Sequence, residues 1–331
     1  MRFSIFILLF PIIILALENF ERFKDISVPK VIHSIYTKEF RLKSEFKPFT
    51  NDFTHLFLVD ADSNKVLFGF NEFDVAEIAS VTKMMPMLLV AEALERGDIS
   101  LSDTLVATTK SSKIGGSQIY LKEHERMTVD ELFKSVVMKS ANDATFLLGQ
   151  KLTDNDRIGD FVDIMNKRAA EIGMNRTVYY YPHGLPSDYQ DRKNYGVKGN
   201  LSTCYDLTLL AKELIKYPIV LKYSSTWLDT IRKDKGKKKF QLRNTSRLIK
   251  DYPYFDGLKT GFYSEAGFCI VATAIKDGRR LIAVSLGSQK WRNRDKLVAD
   301  LVTWGFDQIE YTDSLSHTTF IDSTRLAKNE N

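Results

Sequence analysis

The chain carries three short groups of polar residues whose types and spacing suit acyl transfer. The first is Ser80-Val81-Thr82-Lys83, at the head of an apolar run. Residues i and i+3 of a helix share a face, so the Ser80 hydroxyl and the Lys83 amine are expected to lie together. The helix N-terminus favours developing negative charge, and a buried lysine with a lowered pKa can accept the hydroxyl proton. The motif also fits a capping serine beside a solvated lysine, and two further Ser-x-x-Lys matches begin at Ser27 and Ser44.

The second group is Ser140-Ala141-Asn142, which follows an apolar segment at 133–138. The Asn142 amide can both donate and accept hydrogen bonds, and the Ser140 hydroxyl can relay a proton. Serine and asparagine are also common turn residues, so an ordinary turn between two helices is the alternative interpretation. On its own this group is a weak indication of a site.

The third group, Lys259-Thr260-Gly261, lies within an apparent strand, where lysine and glycine are unusual. A cation and a hydroxyl on a strand edge suit a carboxylate ligand, and Gly261 would let a substrate backbone approach closely. An edge strand with a protective lysine and a bulge is the structural alternative.

The elements that must position these groups form a mixed α/β pattern of the α+β type. Strands are predicted from residue 54 and, after a turn at 62–64, at 66–70. A long helix is predicted from Ser80 to a stop near Gly97, with a bend at Pro86. Helices beginning near 127, 156 and 202 fill the middle third, the first opened by a Thr128–Glu131 capping box.

The last third returns to strands. Residues 256–262 and 267–287 predict three strands, the last two joined by a hairpin at Asp277-Gly278, and a helix from Trp291 and a polar tail at 309–331 follow. We therefore expect an antiparallel sheet flanked by helices, with a mostly helical lobe inserted at approximately 90–225. A cleft between the two halves is the default binding site.

Composition limits the classes of function. The 331 residues are 44% hydrophobic, enough for a full core, and the net charge of +5 with a pI of about 8.9 is mildly basic. The basic run at 232–239 lacks interleaved aromatic residues, which favours a solvated hairpin tip and gives no indication of a nucleic-acid partner. Cys204 and Cys269 lie in apolar surroundings and are expected to be buried thiols. The five histidines show no metal-ligand spacing, so no metal or cofactor is expected.

The N-terminus indicates export. Residues 3–17 are apolar apart from Ser4 and Pro11, a length typical of a signal peptide and short for a membrane span. The cleavage signal at Ala16 is weak, so residues 1–17 are either a signal peptide or an uncleaved anchor that attaches the chain to a membrane; a buried N-terminal helix is the alternative. Residues 18–51 are interpreted as a linker or peripheral arm.

The order of the three groups resembles a known signature. Ser-x-x-Lys, Ser-x-Asn and Lys-Thr-Gly, on a helix, a helical lobe and a late strand, form the signature set of penicillin-binding proteins and serine β-lactamases. Across roughly residues 52–308 the chain resembles one branch, the low-molecular-mass D-alanyl-D-alanine carboxypeptidases of peptidase family S11. The matching stretches are IASVTKMM, GGSQIYLKEHERMTVDELFKSVVMKSANDA, FVDIMNKRAAEIGMNRTVYYYPHGLP, LSTCYDLTLLA, NTSRLI, DGLKTGFYSEAGFCIVATA and GRRLIAVSLG.

The resemblance implies a β-lactamase/transpeptidase-like fold and an acyl-enzyme mechanism. Ser80 would attack the D-Ala-D-Ala carbonyl with Lys83 as its base. Ser140 and Lys83 would pass the proton to the leaving D-alanine, and Asn142 would orient the peptide. A water molecule activated by Lys83 would then release the peptide.

The resemblance also implies a carboxylate site and an oxyanion hole. Lys259 and Thr260 would hold the terminal carboxylate, and the substrate would run beside Gly261. The backbone N–H groups of Ser80 and Phe262 would form the oxyanion hole. The family has a further carboxylate-binding arginine, for which Arg294 is the best match by position and Arg292 the near alternative.

The implied substrate is the peptidoglycan pentapeptide in the bacterial cell envelope, in the periplasm or at the outer face of the cytoplasmic membrane, with β-lactams as covalent inhibitors. Family members often carry a C-terminal β-domain and an amphipathic anchor helix; only about twenty polar residues follow the terminal helix here, so we expect both to be absent. Pro86 is a second departure, because it can shift Lys83 relative to Ser80; we expect the helix to accommodate it.

Four other functions are each compatible with part of this sequence pattern. A class A β-lactamase uses a dedicated glutamate, and no Glu-x-x-Asn loop lies between Asn142 and Lys259, whereas PHGLP at 182–186 follows the carboxypeptidase pattern. An endopeptidase that cuts peptide crosslinks shares the fold, and the sequence does not exclude this alternative. A catalytically idle receptor for β-lactams or cell-wall peptides is disfavoured by the three intact motifs. A lipase-like hydrolase is disfavoured because no Gly-x-Ser-x-Gly motif occurs.

Overall fold

Two distant parts of the chain, one near residue 55 and one from about 255 to 288, supply the strands of a single antiparallel sheet. The computed structural model describes residues 46–153, 155, 157–185, 199–233 and 239–326, with side chains up to residue 309. These residues belong to one unit that begins at Ser44. The predicted signal or anchor at 1–17, most of the predicted linker at 18–51 and the tip of the basic hairpin lie outside the described residues.

Along the chain, short strands and helices lie between the two segments that form the central sheet. In chain order, the strands are β1 (His55–Asp60), β2 (Val66–Phe70), β3 (Ala76–Glu77), β4 (Thr104–Val106), β5 (Arg126–Thr128), β6 (Leu201–Ser202), β7 (Leu228–Ile231), β8 (Phe240–Arg243), β9 (Phe255–Tyr263), β10 (Gly267–Lys276) and β11 (Arg279–Ser288). The α-helices are α1 (Met84–Arg96), α2 (Thr109–Ser112), α3 (Val129–Lys134), α4 (Asn142–Thr153), α5 (Ile158–Glu171), α6 (Cys204–Leu214), α7 (Pro218–Ser224), α8 (Leu248–Asp251) and α9 (Trp291–Leu326).

The central sheet has the order β2-β1-β11-β10-β9, and all of its pairings are antiparallel. The predicted hairpin between β10 and β11 is confirmed. Asp277 and Gly278 have φ of 50° and 77°, as a two-residue turn with positive φ at both positions requires. In this order β9 is an edge strand, so one side of its backbone faces the helical lobe unpaired.

Each face of the sheet is covered by its own core, as the period of two along a strand dictates. On one face Phe57, Val271 and Ile282 pack with the helices of the lobe. On the other face Leu58 and other alternating aliphatic residues pack against α9. The predicted α+β architecture, with an antiparallel sheet flanked by helices and an inserted helical lobe, is thereby confirmed.

The helix predicted from Ser80 differs in its first turn. Residues Ala79–Lys83 form a 3₁₀ turn, and the α-helix starts only at Met84. Pro86 is therefore the third residue of α1, where a backbone N–H has no acceptor within the helix, so proline loses no hydrogen bond there. The helix type thus changes from 3₁₀ to α just before Pro86, and the bend expected at Pro86 stays a prediction. Gly97 ends the helix with φ of 76° as predicted.

The lobe follows the predicted helices closely. The Thr128–Glu131 capping box is present at the start of α3. The helix expected to begin at Ser202 begins instead at Cys204, because the Thr203 hydroxyl accepts the hydrogen bond from the Asp206 amide, at 3.0 Å. That helix ends at Leu214, and Pro218 opens the next one.

The terminal helix α9 is longer than expected. It continues to Leu326, through most of the segment predicted to be a polar tail at 309–331. No glycine or proline follows Gly305 before Leu326, so no residue in that segment breaks the helix. Within the described part of the chain, no helix combines the length and the apolar character needed to cross a membrane.

Candidate active site

The 3₁₀ turn before α1 brings Ser80 and Lys83 together. Lys83 Nζ donates a hydrogen bond to Ser80 Oγ at 2.9 Å and another to the His183 carbonyl at 2.6 Å. The Lys83 side chain is fully buried, whereas Ser80 is half-buried. The Ser80 hydroxyl, in the lining of a cavity, therefore has the Lys83 amine fixed behind it, which is the arrangement expected of a nucleophile and its base.

Burial changes the acid–base character of Lys83. The pKa of Lys83 is lowered well below its usual range, first by desolvation and then by the positive charge of Lys259; Asp143 partly opposes this shift. A lowered pKa raises the neutral fraction of the amine near neutral pH. The neutral amine has a lone pair that can accept the Ser80 proton, so the environment supports the predicted role of Lys83 as a base.

The backbone around Ser80 is tightly held. Ala79 has a φ of 45°, which is uncommon for a residue with a side chain. A Cβ added at Gly184, which has φ of 80°, would lie 2.0 Å from the Ala79 carbonyl oxygen. Only glycine fits there, so the segment 182–185 packs directly against the turn that carries Ser80.

Ser140 and Asn142 lie at the junction between the π-turn Ser135–Lys139 and α4. Ser140 adopts φ of 63°, and its buried hydroxyl has no hydrogen-bond partner among the described residues. No hydrogen bond joins Ser140 to Lys83 in the described structure, so the predicted proton relay between them stays a prediction. Asn142 Nδ2 donates to the Gly115 carbonyl at 2.7 Å, and its Oδ1 lacks a partner in the described part of the chain.

Lys259, Thr260 and Gly261 lie on the edge strand β9, beside the Ser80 turn. Lys259 is buried, and its Nζ donates to the Thr260 carbonyl at 2.8 Å. Burial, assisted by the positive charge of Arg294, lowers the pKa of Lys259 to about 7. The Thr260 hydroxyl donates to the Thr245 hydroxyl at 2.8 Å.

Gly261 packs closely against the turn that carries Ser80. A Cβ at this position would lie 2.8 Å from the Ile78 carbonyl oxygen, 2.9 Å from the Val81 nitrogen and 3.0 Å from the Ser80 nitrogen. All three neighbours are backbone atoms and cannot move aside independently. Glycine here lets the nucleophile turn pack directly on β9, in addition to the predicted approach of a substrate backbone.

The remaining predicted residues, Phe262 and Arg294, differ in exposure and in their contacts. Phe262 is 54% exposed and stacks on Phe268 with ring centroids 4.0 Å apart. Arg294 is buried; it donates to the Asp295 carboxylate at 2.5 and 2.9 Å and to the Cys269 carbonyl at 3.1 Å. Arg292, the alternative to Arg294, instead lies over the Trp291 ring at 5.2 Å.

Most of these groups meet at one cavity of about 380 Å³, called here the central cavity. Its lining includes Ser80, Ser117, Ser140, Thr245, Arg247, Thr260, Gly261, Phe262, Phe268, Trp291, Arg294 and Asp295. Lys83, Asn142 and Lys259 are buried beside this lining. The sheet edge, the lobe and the start of α9 thus converge on one cleft.

Some cavity residues were not predicted. Arg247 precedes α8, and its guanidinium lies 4.3 Å from the centre of the Trp291 ring, at the end of the cavity that also holds Arg294 and Asp295. The Arg247 side chain is exposed, and Trp291 is half-buried. The only signal in the sequence for this segment was the resemblance of NTSRLI, at 244–249, to the carboxypeptidase family.

Asp143 was also missed. Its buried carboxylate accepts backbone hydrogen bonds from Ile119 and Leu121, at 3.0 to 3.2 Å. Burial raises the pKa of Asp143, and these hydrogen bonds oppose that shift. Asp143 therefore ties the loop at 115–121 to the start of α4, which places Ser117 and Asn142 side by side.

Comparisons with known proteins agree with this geometry. The family model for D-alanyl-D-alanine carboxypeptidase, peptidase S11, matches residues 43–290. The chain is 38% identical over 253 residues to the D-alanyl-D-alanine carboxypeptidase DacF of Bacillus subtilis, covering 76% of this chain and 62% of that protein. It is 32% identical over 258 residues to DacC of Escherichia coli, covering 75% and 60%.

A solved structure supports the same fold. Penicillin-binding protein D2 from Listeria monocytogenes, in its ampicillin-bound form, superposes with a TM-score of 0.68 at 30% identity, covering 79% of this chain and 100% of that one. The chain spans about 60% of the length of the curated relatives that it matches, namely 62% of DacF and 60% of DacC.

Proposed function

Because this chain belongs to the D-alanyl-D-alanine carboxypeptidase family, peptidase S11, we propose that it removes the terminal D-alanine from peptidoglycan stem peptides. The observation that carries the proposal is the hydrogen bond between the buried Lys83 amine and the Ser80 hydroxyl, at the wall of a cavity with two arginines at one end. That combination suits attack on a carbonyl close to a free carboxylate.

The proposed reaction proceeds through an acyl-enzyme. Ser80 Oγ attacks the carbonyl carbon of the D-Ala-D-Ala bond while neutral Lys83 accepts the hydroxyl proton. The proton passes through Lys83 and Ser140 to the nitrogen of the leaving D-alanine as the C–N bond breaks. A water molecule, deprotonated by Lys83, then attacks the ester and restores the Ser80 hydroxyl. The unpartnered hydroxyl of Ser140 suits this relay, because it is available to a bound substrate.

The other predicted residues are assigned to substrate binding. The unpartnered Oδ1 of Asn142 can accept an N–H of the peptide. The backbone N–H groups of Ser80 and Phe262 are assigned to the oxyanion hole, and the closeness of Gly261 to Ser80 N supports that assignment. Gly261 also leaves room for the peptide beside β9.

The terminal carboxylate is assigned to Thr260 and the cations around it. Lys259 and Arg294 are buried and already engaged with protein groups, so we propose that they set a positive potential at this end of the cavity. Arg247 is added to the predicted set as the direct partner of the carboxylate. Its guanidinium makes no hydrogen bond to a described residue, and Trp291 holds its plane.

β-Lactams are proposed as covalent inhibitors that acylate Ser80, since the Listeria relative was solved with ampicillin bound. The site of action is proposed to be the bacterial cell envelope, because the matched relatives are named for D-alanyl-D-alanine cleavage. The apolar residues at 3–17 are proposed to direct export, either as a cleaved signal or as a membrane anchor.

The test is release of D-alanine from a short peptide that ends in D-Ala-D-Ala, by the purified protein and by its Ser80→Ala variant. We expect release by the parent only, and acylation of the parent only by a labelled penicillin. A crosslinked peptide dimer is assayed in parallel. Cleavage of the dimer without release of D-alanine would favour the endopeptidase, and acylation without hydrolysis of either substrate would favour the idle receptor.

A further inference from the structure

A second cavity, of about 520 Å³, lies next to the central cavity and is called here the tip cavity. It is formed around the turn between β9 and β10, with contributions from β3 and the end of β11; Glu77, Glu265, Ala266 and Ser288 are in its lining. The stacked rings of Phe262 and Phe268 line both cavities. The two cavities are therefore adjacent parts of one cleft with an aromatic partition.

The two cavities differ in the sign of their charge. The charged residues lining the central cavity are Arg247, Arg294 and Asp295, an excess of positive charge. Those lining the tip cavity, among the described residues, are Glu77 and Glu265, both acidic. A ligand that fills both cavities is therefore matched best if it is anionic at one end and cationic at the other.

The direction of the substrate follows from the proposed function, on which this inference rests. The terminal carboxylate lies at Thr260 and Arg247, and the scissile carbonyl lies at Ser80. The peptide before the scissile bond must continue the other way, past Gly261 and Phe262 along the free edge of β9. Each extended residue spans about 3.3 Å, so the residue before D-Ala-D-Ala is the first whose side chain can reach past the Phe262–Phe268 partition.

The groups around the tip cavity suit a protonated amine. Glu77 is half-buried, and its Oε2 accepts a hydrogen bond from the Tyr263 hydroxyl at 2.8 Å, which fixes the carboxylate in place. Glu265 lies exposed at the turn and accepts a hydrogen bond from Ser264. The Phe262–Phe268 stack offers a ring face to a cation.

Ser288 is an independent indication that the tip cavity binds a polar group. It is fully buried in the lining, and its hydroxyl has no hydrogen-bond partner in the described part of the chain. An unpartnered hydroxyl can accept a hydrogen bond from an N–H donor, whereas a purely structural pocket would be expected to satisfy it.

We propose that the tip cavity is a subsite for a cationic side chain on the residue that precedes D-Ala-D-Ala, with Glu77 and Glu265 as the partners of its protonated amine. This subsite would make the protein select stem peptides that carry a free side-chain amine over those in which the amine is acylated. Crosslinking through that amine would remove the charge, so crosslinked strands would be poorer substrates than free ones.

The experiment compares two probes, Nα-acetyl-L-Lys-D-Ala-D-Ala and Nα,Nε-diacetyl-L-Lys-D-Ala-D-Ala. We expect the parent protein to show a kcat/KM about tenfold higher for the free amine, in line with a charge-assisted hydrogen bond in a partly exposed site. Glu265→Gln and Glu77→Gln are each expected to reduce that ratio to about two to three. Glu95→Gln, an exposed glutamate on α1 away from both cavities, is the matched control and should keep the parental ratio.

Two outcomes would overturn the subsite: a ratio near one in the parent, or a high ratio that neither Gln variant lowers. Affinities of both peptides for the Ser80→Ala variant are measured by calorimetry in parallel. If the parent hydrolyses neither peptide, the proposed function fails, while a tenfold binding preference that depends on Glu265 still supports the subsite. If both peptides are hydrolysed equally, the proposed function stands and the subsite fails.

Discussion

At the residue scale, the proposed mechanism requires opposite protonation states of the two buried lysines, Lys83 and Lys259. In the proposed mechanism Lys83 must be neutral to accept the Ser80 proton, and its pKa is lowered by burial and then by the charge of Lys259. Lys259 must be protonated to keep the carboxylate end positive, and its pKa is lowered to about 7 by burial and then by Arg294. The same desolvation that creates a base at one position thus weakens a cation at the other.

The expected consequence is a bell-shaped pH dependence of kcat/KM for a peptide without titratable side chains. Activity rises as increasing pH deprotonates Lys83, and it falls as pH passes through about 7 and deprotonates Lys259. In Lys259→Arg the guanidinium stays protonated, so the alkaline limb should move to higher pH even if the maximal rate is lower. An alkaline limb that does not move in this variant would contradict the assignment.

Arg247 gives a second prediction at this scale. Arg247→Ala should lower kcat/KM about tenfold for a peptide with a free terminal carboxylate, through the loss of a charge-assisted hydrogen bond. It should change the rate for the C-terminally amidated peptide by less than about twofold. Arg292→Ala is the matched control, because Arg292 also lies over Trp291 but is not in the cavity lining. Equal losses for both peptides would show a structural role instead.

Gly261 gives a third prediction. Gly261→Ala introduces a Cβ less than about 3 Å from backbone atoms of the nucleophile turn, so β9 and Ser80 must move apart. Because a displacement of about 1 Å can lower the rate about 100-fold, we expect a loss of that order in D-alanine release. Gly159→Ala, with no atom within 4 Å of the added Cβ, is the control and should leave the rate unchanged. Parental activity in Gly261→Ala would refute the close packing.

At the element scale, short irregular segments hold the site in place. The 3₁₀ turn before α1 positions Ser80, and the π-turn after α3 positions Ser140. The hairpin β7–β8 is tied to the lobe by Arg232, which forms a two-point ion pair with Glu125 at 2.7 and 3.0 Å and also donates to the Ile119 carbonyl at 3.0 Å. Arg232 is 7% exposed, so this pair is largely shielded from water.

Arg232→Ala is expected to destabilise the protein by about 3–5 kcal/mol, because it removes the two-point ion pair from the largely buried Glu125 carboxylate. Glu125→Ala should have a similar effect for the converse reason. The double variant should lose much less than the sum of the two, since both halves of the ion pair are then removed together. Urea unfolding measures the free energy of unfolding of all three variants. Additive losses would show that the Arg232–Glu125 ion pair is not the source of the stabilisation. Arg243→Ala, an exposed arginine at the end of β8, is the control.

At the scale of the whole molecule, one sheet separates two cores. The lobe packs on one face and α9 on the other, so neither core is complete without the sheet between them. We therefore expect the described unit to unfold cooperatively, with loss of the site and loss of α9 in a single transition.

Leu301→Ala tests this cooperativity. Leu301 is fully buried between α9 and the sheet, on the face opposite the lobe. The substitution should cost about 2–5 kcal/mol and lower Tm by roughly 5–15 °C. Helix content and penicillin acylation should be lost at the same temperature. Leu228→Ala, a 45% exposed leucine on β7, should leave Tm within a few degrees of the parent. Two separate transitions in Leu301→Ala would show that the two cores unfold independently.

Features of the fold that depend on a few neighbouring residues were predictable from the sequence. The hairpin at Asp277-Gly278, the capping box at Thr128 and the stop at Gly97 were predictable, because each depends on local backbone preferences. The 3₁₀ turn at Ala79–Lys83 was not, because it depends on packing against β9 and the segment at 182–185. The helical path of α9 beyond 309 was not predictable from composition, because a polar segment without glycine or proline is compatible with both a helix and a frayed tail.

The amino-acid sequence by itself determined the family, the α+β architecture and the identity of the Ser80, Ser140 and Lys259 motifs, since these are expressed in residue types at short spacing. Only the tertiary structure decided which charges surround them. Arg247 comes from a segment outside all three motifs. Asp143 and Glu77 are close in sequence to Asn142 and Ser80, but their roles arise only where the sheet edge meets the lobe and the start of α9. The pKa values of Lys83 and Lys259 likewise depend on burial, which residues far apart in the chain create together.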